Sequence, residues 1–136
     1  FRIANRLNGD LIDVNVKLHV RVHDPQARVH RLLALQLTRD NTPSLSLNWV
    51  LFHPINEDSP LHDIPFEQWA EKGLRLLVNV IGYDEVYQQT VHDRKFYDAA
   101  QVLRNEEFVD MLNIRENELE VDLSKISQTQ PLGERQ

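Results

Sequence analysis

The chain has 136 residues, a formal net charge of −6 and no cysteine, so it is sized for one domain with one core. The missing cysteines exclude disulfides, thiolate metal ligands and cysteine nucleophiles, and they fit a reducing compartment. The acidic balance weighs against a nucleic-acid partner, because a phosphate backbone is bound by clustered Lys and Arg.

Opening at Phe1 without a methionine, the chain reads as a fragment of something longer or a processed form. FRIANRLNGD lacks the apolar core of a signal peptide. No run approaches the roughly 18 apolar residues of a membrane span. After the turn signal Asn8-Gly9-Asp10 comes IDVNVKLHVRVH, residues 12–23. Ile12, Val14, Val16, Leu18, Val20 and Val22 alternate there with polar residues, which predicts a long strand with one face in a core and one in water. Asp24-Pro25 closes it.

Further alternation predicts strands through Leu33, Leu35 and Leu37, through Leu45, Leu47, Trp49 and Leu51, and through Leu74, Leu76, Val78 and Val80, the last ended by Gly82. Between these, Pro65 suits a first helical position and Gly73 lies just past a helix end, with Phe66, Trp69 and Ala70 on one face. One short helix is expected there. Residues 99–112, AAQVLRNEEFVDML, favour helix by propensity. A last strand is expected through Leu119, Val121 and Leu123, and residues 127–136 read as a polar, mobile tail. Short strands at regular spacing point to an all-β, immunoglobulin-like β-sandwich with one short helix.

Chemistry-bearing patterns are few. His19 and His23 have the H-x-x-x-H spacing that chelates zinc on a helix, but on a strand four residues span about 13 Å, too far for one ion. HPINEDSPL, residues 53–61, places Asn56, Glu57, Asp58 and Ser59 between two prolines. A calcium loop needs alternating ligands and a glycine at its sharp turn. These four are consecutive and contain no glycine, so a capped turn, with Asp58 or Ser59 holding backbone N–H groups, is the better reading. Glycine occurs only at 9, 73, 82 and 133, which excludes a phosphate-cradling loop, and no nucleophile elbow is present. No enzyme, no cofactor and no metal site are expected.

Four stretches taken in order carry a resemblance. FRIAN at 1–5, HPINEDSPL at 53–61, GYDEVYQQTVHDRKFY at 82–97, and EFVDML followed by VDLS near the end together resemble the cytoplasmic C-terminal domain of inward-rectifier potassium channels, the prokaryotic branch especially. Asn56 stands where that family usually has Asp, and Asp93 and Phe96 replace small residues. The family's membrane helices and selectivity filter are absent from this sequence.

The resemblance implies a β-sandwich spanning residues 1–126 and four copies ringed below a potassium pore on the cytoplasmic face of the membrane. It implies that Asp13 and Glu85 are acids facing the ion pathway, with potassium ions passing between them. It makes Val86, Tyr87, Gln88 and Gln89 a loop that narrows the pore as a gate. Arg94 becomes a residue of the subunit contact and gating, and Arg2 a membrane-proximal cation near anionic lipid. It also turns Asp98–Asn105 into a strand, against helix propensity. The alternative is a free-standing β-sandwich that binds a protein partner.

Overall fold

The period-two patterning is realised as strands throughout. The computed structural model describes residues 1–7 and 9–133. In chain order its strands are β1 (Arg2–Ala4), β2 (Leu11–Asp24), β3 (Val29–Leu35), β4 (Asn41–Leu45), β5 (Asn48–Val50), β6 (Arg75–Asp84), β7 (Gln89–Asp98), β8 (Glu106–Phe108), β9 (Leu112–Arg115), β10 (Glu118–Val121) and β11 (Thr129–Pro131). They form an all-β sandwich. One layer is a five-stranded antiparallel sheet in the order β3-β2-β6-β7. Strand β2 is long enough to hold two partners end to end on its remaining edge, β4 along Leu11–Asn15 and β3 along Leu18–Asp24. The pairs β1–β5, β8–β11 and β9–β10 are separate two-stranded ladders.

The core lies on one face of the large sheet. Val14, Val16, Leu18 and Val20 of β2, Leu35 of β3, Leu45 of β4 and Val78 of β6 line it, and Leu51, Leu61, Trp69 and Leu74 complete the cluster. Val14 and Val20 are completely buried. At about 25 cal/mol per Å² of apolar surface removed from water, each such side chain stabilises the fold by roughly 1.5–3 kcal/mol.

Several expectations need correction. The alternation of β2 does not begin at Ile12. Ile12 pairs with Tyr83 and Asn15 with Ile81, so Asp13 and Val14 together oppose Gly82. This is a β-bulge with Asp13 at φ +48°, and it buries Leu11 with Val14 while Ile12 stays half-buried. The single strand expected over 45–52 is two short strands, β4 and β5, broken at Ser46-Leu47, because its two halves join different layers. Gly82 does not end β6, which runs on to Asp84.

The expected helix after Pro65 is a single 3₁₀ turn, Phe66–Gln68. A 3₁₀ turn eclipses positions three apart, and it sets the rings of Phe66 and Trp69 5.0 Å apart against the core. Gly73 ends the segment as expected, at φ +62°: its N–H bonds to the Ala70 carbonyl, and the Leu74 N–H reaches back to Trp69.

Residues 99–112 form neither the helix of propensity nor the strand of the family over 98–105. One 3₁₀ turn, Ala99–Gln101, is closed by a reciprocal cap between Asp98 and Gln101, and the chain is extended again at Val102. The ordered fold also passes the boundary expected at 126, since β11 pairs with β8 and the Leu132 N–H bonds to the Asn105 carbonyl. Asn8 of the first turn signal and residues 134–136 of the expected tail lie outside the described residues.

Two hairpins of the large sheet share one design. In DPQAR and DEVYQ an aspartate ends the first strand, and its carboxylate accepts from the N–H groups two and three residues on. These are Gln26 and Ala27 for Asp24, and Val86 and Tyr87 for Asp84. The fourth residue after each aspartate, Arg28 or Gln88, takes positive φ and turns the chain into the returning strand.

Candidate functional site

HPINEDSPL folds as a capped turn. Gln36 offers a carbonyl 2.6 Å from His53 Nδ1, so that nitrogen carries the proton and donates. The opposite nitrogen, Nε2, lies 2.7 Å from the buried Ser59 hydroxyl, which also accepts from the Leu61 N–H. Asn56 caps the Asp58 N–H. The turn thereby ties His53 to Gln36, just past the end of β3. Ser59→Ala is expected to lower stability by about 1 kcal/mol, read from chemical denaturation, because it strands the Leu61 N–H and the imidazole.

The polar residues nominated in the sequence gather at one end of the β2–β6–β7 sheet. Leu11 pairs with Asp84, so Glu85 follows directly at the tip of the β6–β7 hairpin while Asp13 stands on the bulge two residues along β2. Both side chains are exposed. The bulge sits where it does because Gly82 has no side chain: a Cβ there would lie 3.2 Å from Val14 Cγ2. The tip itself projects, with Val86 63% and Tyr87 69% exposed and Gln88 and Gln89 also open to solvent. Asp84, only 2% exposed, fixes that tip from below. The preceding loop leans on it as well, since a Cβ at Gly9 would meet Val86 Cγ2 at 2.8 Å. Asn5 shapes that loop by donating to the carbonyls of Gly9 and Leu45 and accepting from the Leu7 N–H.

Farther along the same outer face, Phe96 collects cations. The guanidinium carbons of Arg75, Arg94 and Arg21 lie 4.6, 5.2 and 5.9 Å from its ring centre. Together they cover Leu77, buried to 2% on the face opposite the core. Arg75 Nε is 2.8 Å from Asp98 Oδ1, an ion-pair contact without hydrogen-bond alignment. Neither Arg94 nor Arg21 has an ion pair among the described residues. Arg21 Nε and His19 Nδ1 are shielded and without a hydrogen-bond partner.

A family model described as the inward rectifier potassium channel C-terminal domain matches residues 1–134. The chain belongs to the inward-rectifier potassium channel C-terminal domain family. It is also 31% identical, over 105 residues, to the inward rectifier potassium channel Kirbac3.1 of Paramagnetospirillum magnetotacticum. That match covers 75% of this chain and 36% of the relative, so the chain spans about a third of that channel's length. Among the described residues no helix is long and apolar enough to cross a membrane.

Within this inward-rectifier domain, Asp13, Glu85 and the 86–89 tip are brought to one end of the sheet, with Arg94 farther along its outer face. Arg2 is not with them. It is 7% exposed, and its guanidinium donates to the carbonyls of Val109, Lys125 and Ile126 at 2.5–3.1 Å, with its carbon 4.5 Å above the Phe108 ring. Desolvation pulls its pKa below the ordinary arginine value, and the nearby Asp110 charge opposes that shift. A lipid-facing role needs a free head group, whereas this one is committed to the C-terminal carbonyls inside the fold. Asn5 and Asp84, the two side chains that set the loops around the tip, were not singled out in the sequence. The only signal for them was position, Asn5 closing the FRIAN motif and Asp84 starting a four-residue turn.

Proposed function

We propose that this chain is the cytoplasmic regulatory domain of a potassium channel that assembles as a homotetramer, with its ring of domains lining the intracellular ion pathway at the inner face of the membrane. The observation that carries the reading is the placement of Asp13 and Glu85, two exposed carboxylates at one end of one rigid sheet. Repeated around a fourfold axis, they form charged rings that concentrate potassium and other cations and repel anions. The bulge aims Asp13 independently of the strand on either side. Exposed Val86 and Tyr87, with Gln88 and Gln89, form the narrow gate of that pathway. Asp84 and Gly9 hold the gate's base, so that a shift of the sheet moves the tip as a unit. Arg94 faces a neighbouring subunit, which supplies the anion that the described residues of its own chain do not. Ligand or lipid signals reach the pore through such rigid-body shifts, without chemistry by the domain.

The test is electrical. In the full-length channel, Asp13→Asn and Glu85→Gln are expected to weaken block by internal polyamine or magnesium at least about tenfold, equivalent to ~1.4 kcal/mol. Asparagine tolerates positive φ as aspartate does, so Asp13→Asn removes charge while keeping the bulge. Unchanged block in both variants would remove these acids from the ion pathway.

A further inference from the structure

At the other end of β2 the sheet makes a pairing that the sequence spacing conceals. His19 and His23 lie four residues apart on one strand, whereas His23 stands directly across from His30 in the β2–β3 register. Both are exposed, and their ring centres are 5.1 Å apart with the planes tilted by 55°. The hairpin holding them is short and capped: Asp24 accepts from Gln26 and Ala27, and its Oδ2 pairs with Arg31 at 3.1 Å. By register Asp24 and Arg31 belong to the reverse face, so neither stands between the imidazoles. Arg21 is the cation nearest in register on the same face, and it is drawn toward Phe96.

The separation can be compared with what a shared ion requires. An imidazole nitrogen binds a transition-metal dication at about 2.0–2.1 Å, and the ring centre lies about 1.15 Å behind that nitrogen, which puts the centre about 3.2 Å from the metal. Two centres 5.1 Å apart then subtend about 106° at a common ion, close to the tetrahedral angle. The two side chains therefore need no change of backbone register to meet one metal. Packing of one ring on the other gives the same spacing, as the Phe66–Trp69 pair does at 5.0 Å, so it is metal binding itself that separates the two accounts.

We propose that His23 and His30 form a two-imidazole site for a borderline dication of the Zn²⁺, Ni²⁺ or Cu²⁺ class on the outer face of the sheet. Imidazole selects this class over Mg²⁺ and Ca²⁺, which prefer oxygen. No group of three or more His, Asp or Glu suited to a metal occurs among the described residues. The described residues thus supply two ligands, water fills the remaining positions, and the ion exchanges readily. The net charge of −6 favours cation approach. The site is independent of the channel reading, because both ligands come from one hairpin.

Zn²⁺ titrated into the 136-residue chain, followed by calorimetry and by ¹⁵N resonances of the histidine rings, tests the proposal. One saturable site per chain is expected, with the His23 and His30 rings shifting together. His23→Ala and His30→Ala should each weaken binding at least about tenfold, a loss no smaller than removal of a metal's outer-shell partner produces. His19→Ala should leave it intact. Both hairpin positions are exposed, so circular dichroism should report the same fold in all three variants. Absence of saturable binding, or binding that survives either hairpin substitution, would overturn the site. Loss on His19→Ala with retention in His30→Ala would do so too, by moving the ion to the other pair.

Discussion

Arg2→Ala is expected to destabilise the domain by roughly 3–5 kcal/mol, the range for removing one partner of a buried charged network. The guanidinium serves three part-buried carbonyls, and truncation leaves those of Val109 and Ile126 without it, while the Lys125 carbonyl keeps only the Gln128 N–H. It also uncovers the Phe108 ring and separates β1 from the C-terminal segment that closes the sandwich. For a domain of this size about 1 kcal/mol moves Tm by roughly 2–6 °C, so a fall on the order of 10–20 °C is expected in a thermal scan. Arg2→Lys should recover little, because one ammonium cannot reproduce a planar fork that reaches several carbonyls at once. Hydrogen exchange supplies the local readout, with protection lost first around β8 and β11. A Tm within about 2 °C of wild type, less than 1 kcal/mol normally produces, would mean that the C-terminal segment docks without Arg2.

That arginine marks where the sequence was legible and where it was not. The long strand, the all-β class, the terminating glycine at 73 and the capped turn at 53–61 all follow from local rules: alternation, positive φ and side-chain capping. Long-range pairing does not. Nothing local to Arg2 says that its partners lie more than 100 positions away, so a terminal arginine reads as a free cation. The segment after Asp98 fails for a related reason. Its residues favour helix, yet they connect β7 to a strand whose partner is β11, and the sheet prevails over propensity. The histidine pair was hidden because the H-x-x-x-H spacing directs attention along one strand, while the sheet joins residues across two. Of the candidate site, the resemblance supplied the residues to inspect. The bulge that carries Asp13 was invisible, since twelve alternating letters give no sign of one extra residue.

The bulge also yields a prediction that couples stability to the proposed pathway. Gly82→Ala is expected to cost about 1–3 kcal/mol in urea unfolding, the usual range for overpacking a filled core. The added Cβ would stand 3.2 Å from Val14 Cγ2, with the Ile12 carbonyl and Leu11 Cβ each 3.7 Å away. Val14 has no room to retreat, being completely buried. The strand must therefore shift, and the residue it re-aims is Asp13, held at positive φ in the same bulge. Val14→Ala alone should destabilise through the cavity it leaves. Combined with Gly82→Ala it should offset part of the strain, because the new methyl group then occupies the vacated space. The double variant is expected to be more stable than the sum of the two losses by about 0.5 kcal/mol or more, the signature of residues in contact. Strict additivity would mean that Val14 does not set the need for glycine at 82. In the full-length channel, Gly82→Ala should also weaken cation block as Asp13→Asn does, since a charge turned away from the ion pathway is lost to it. Normal block despite lost stability would separate the bulge's packing role from the aim of Asp13.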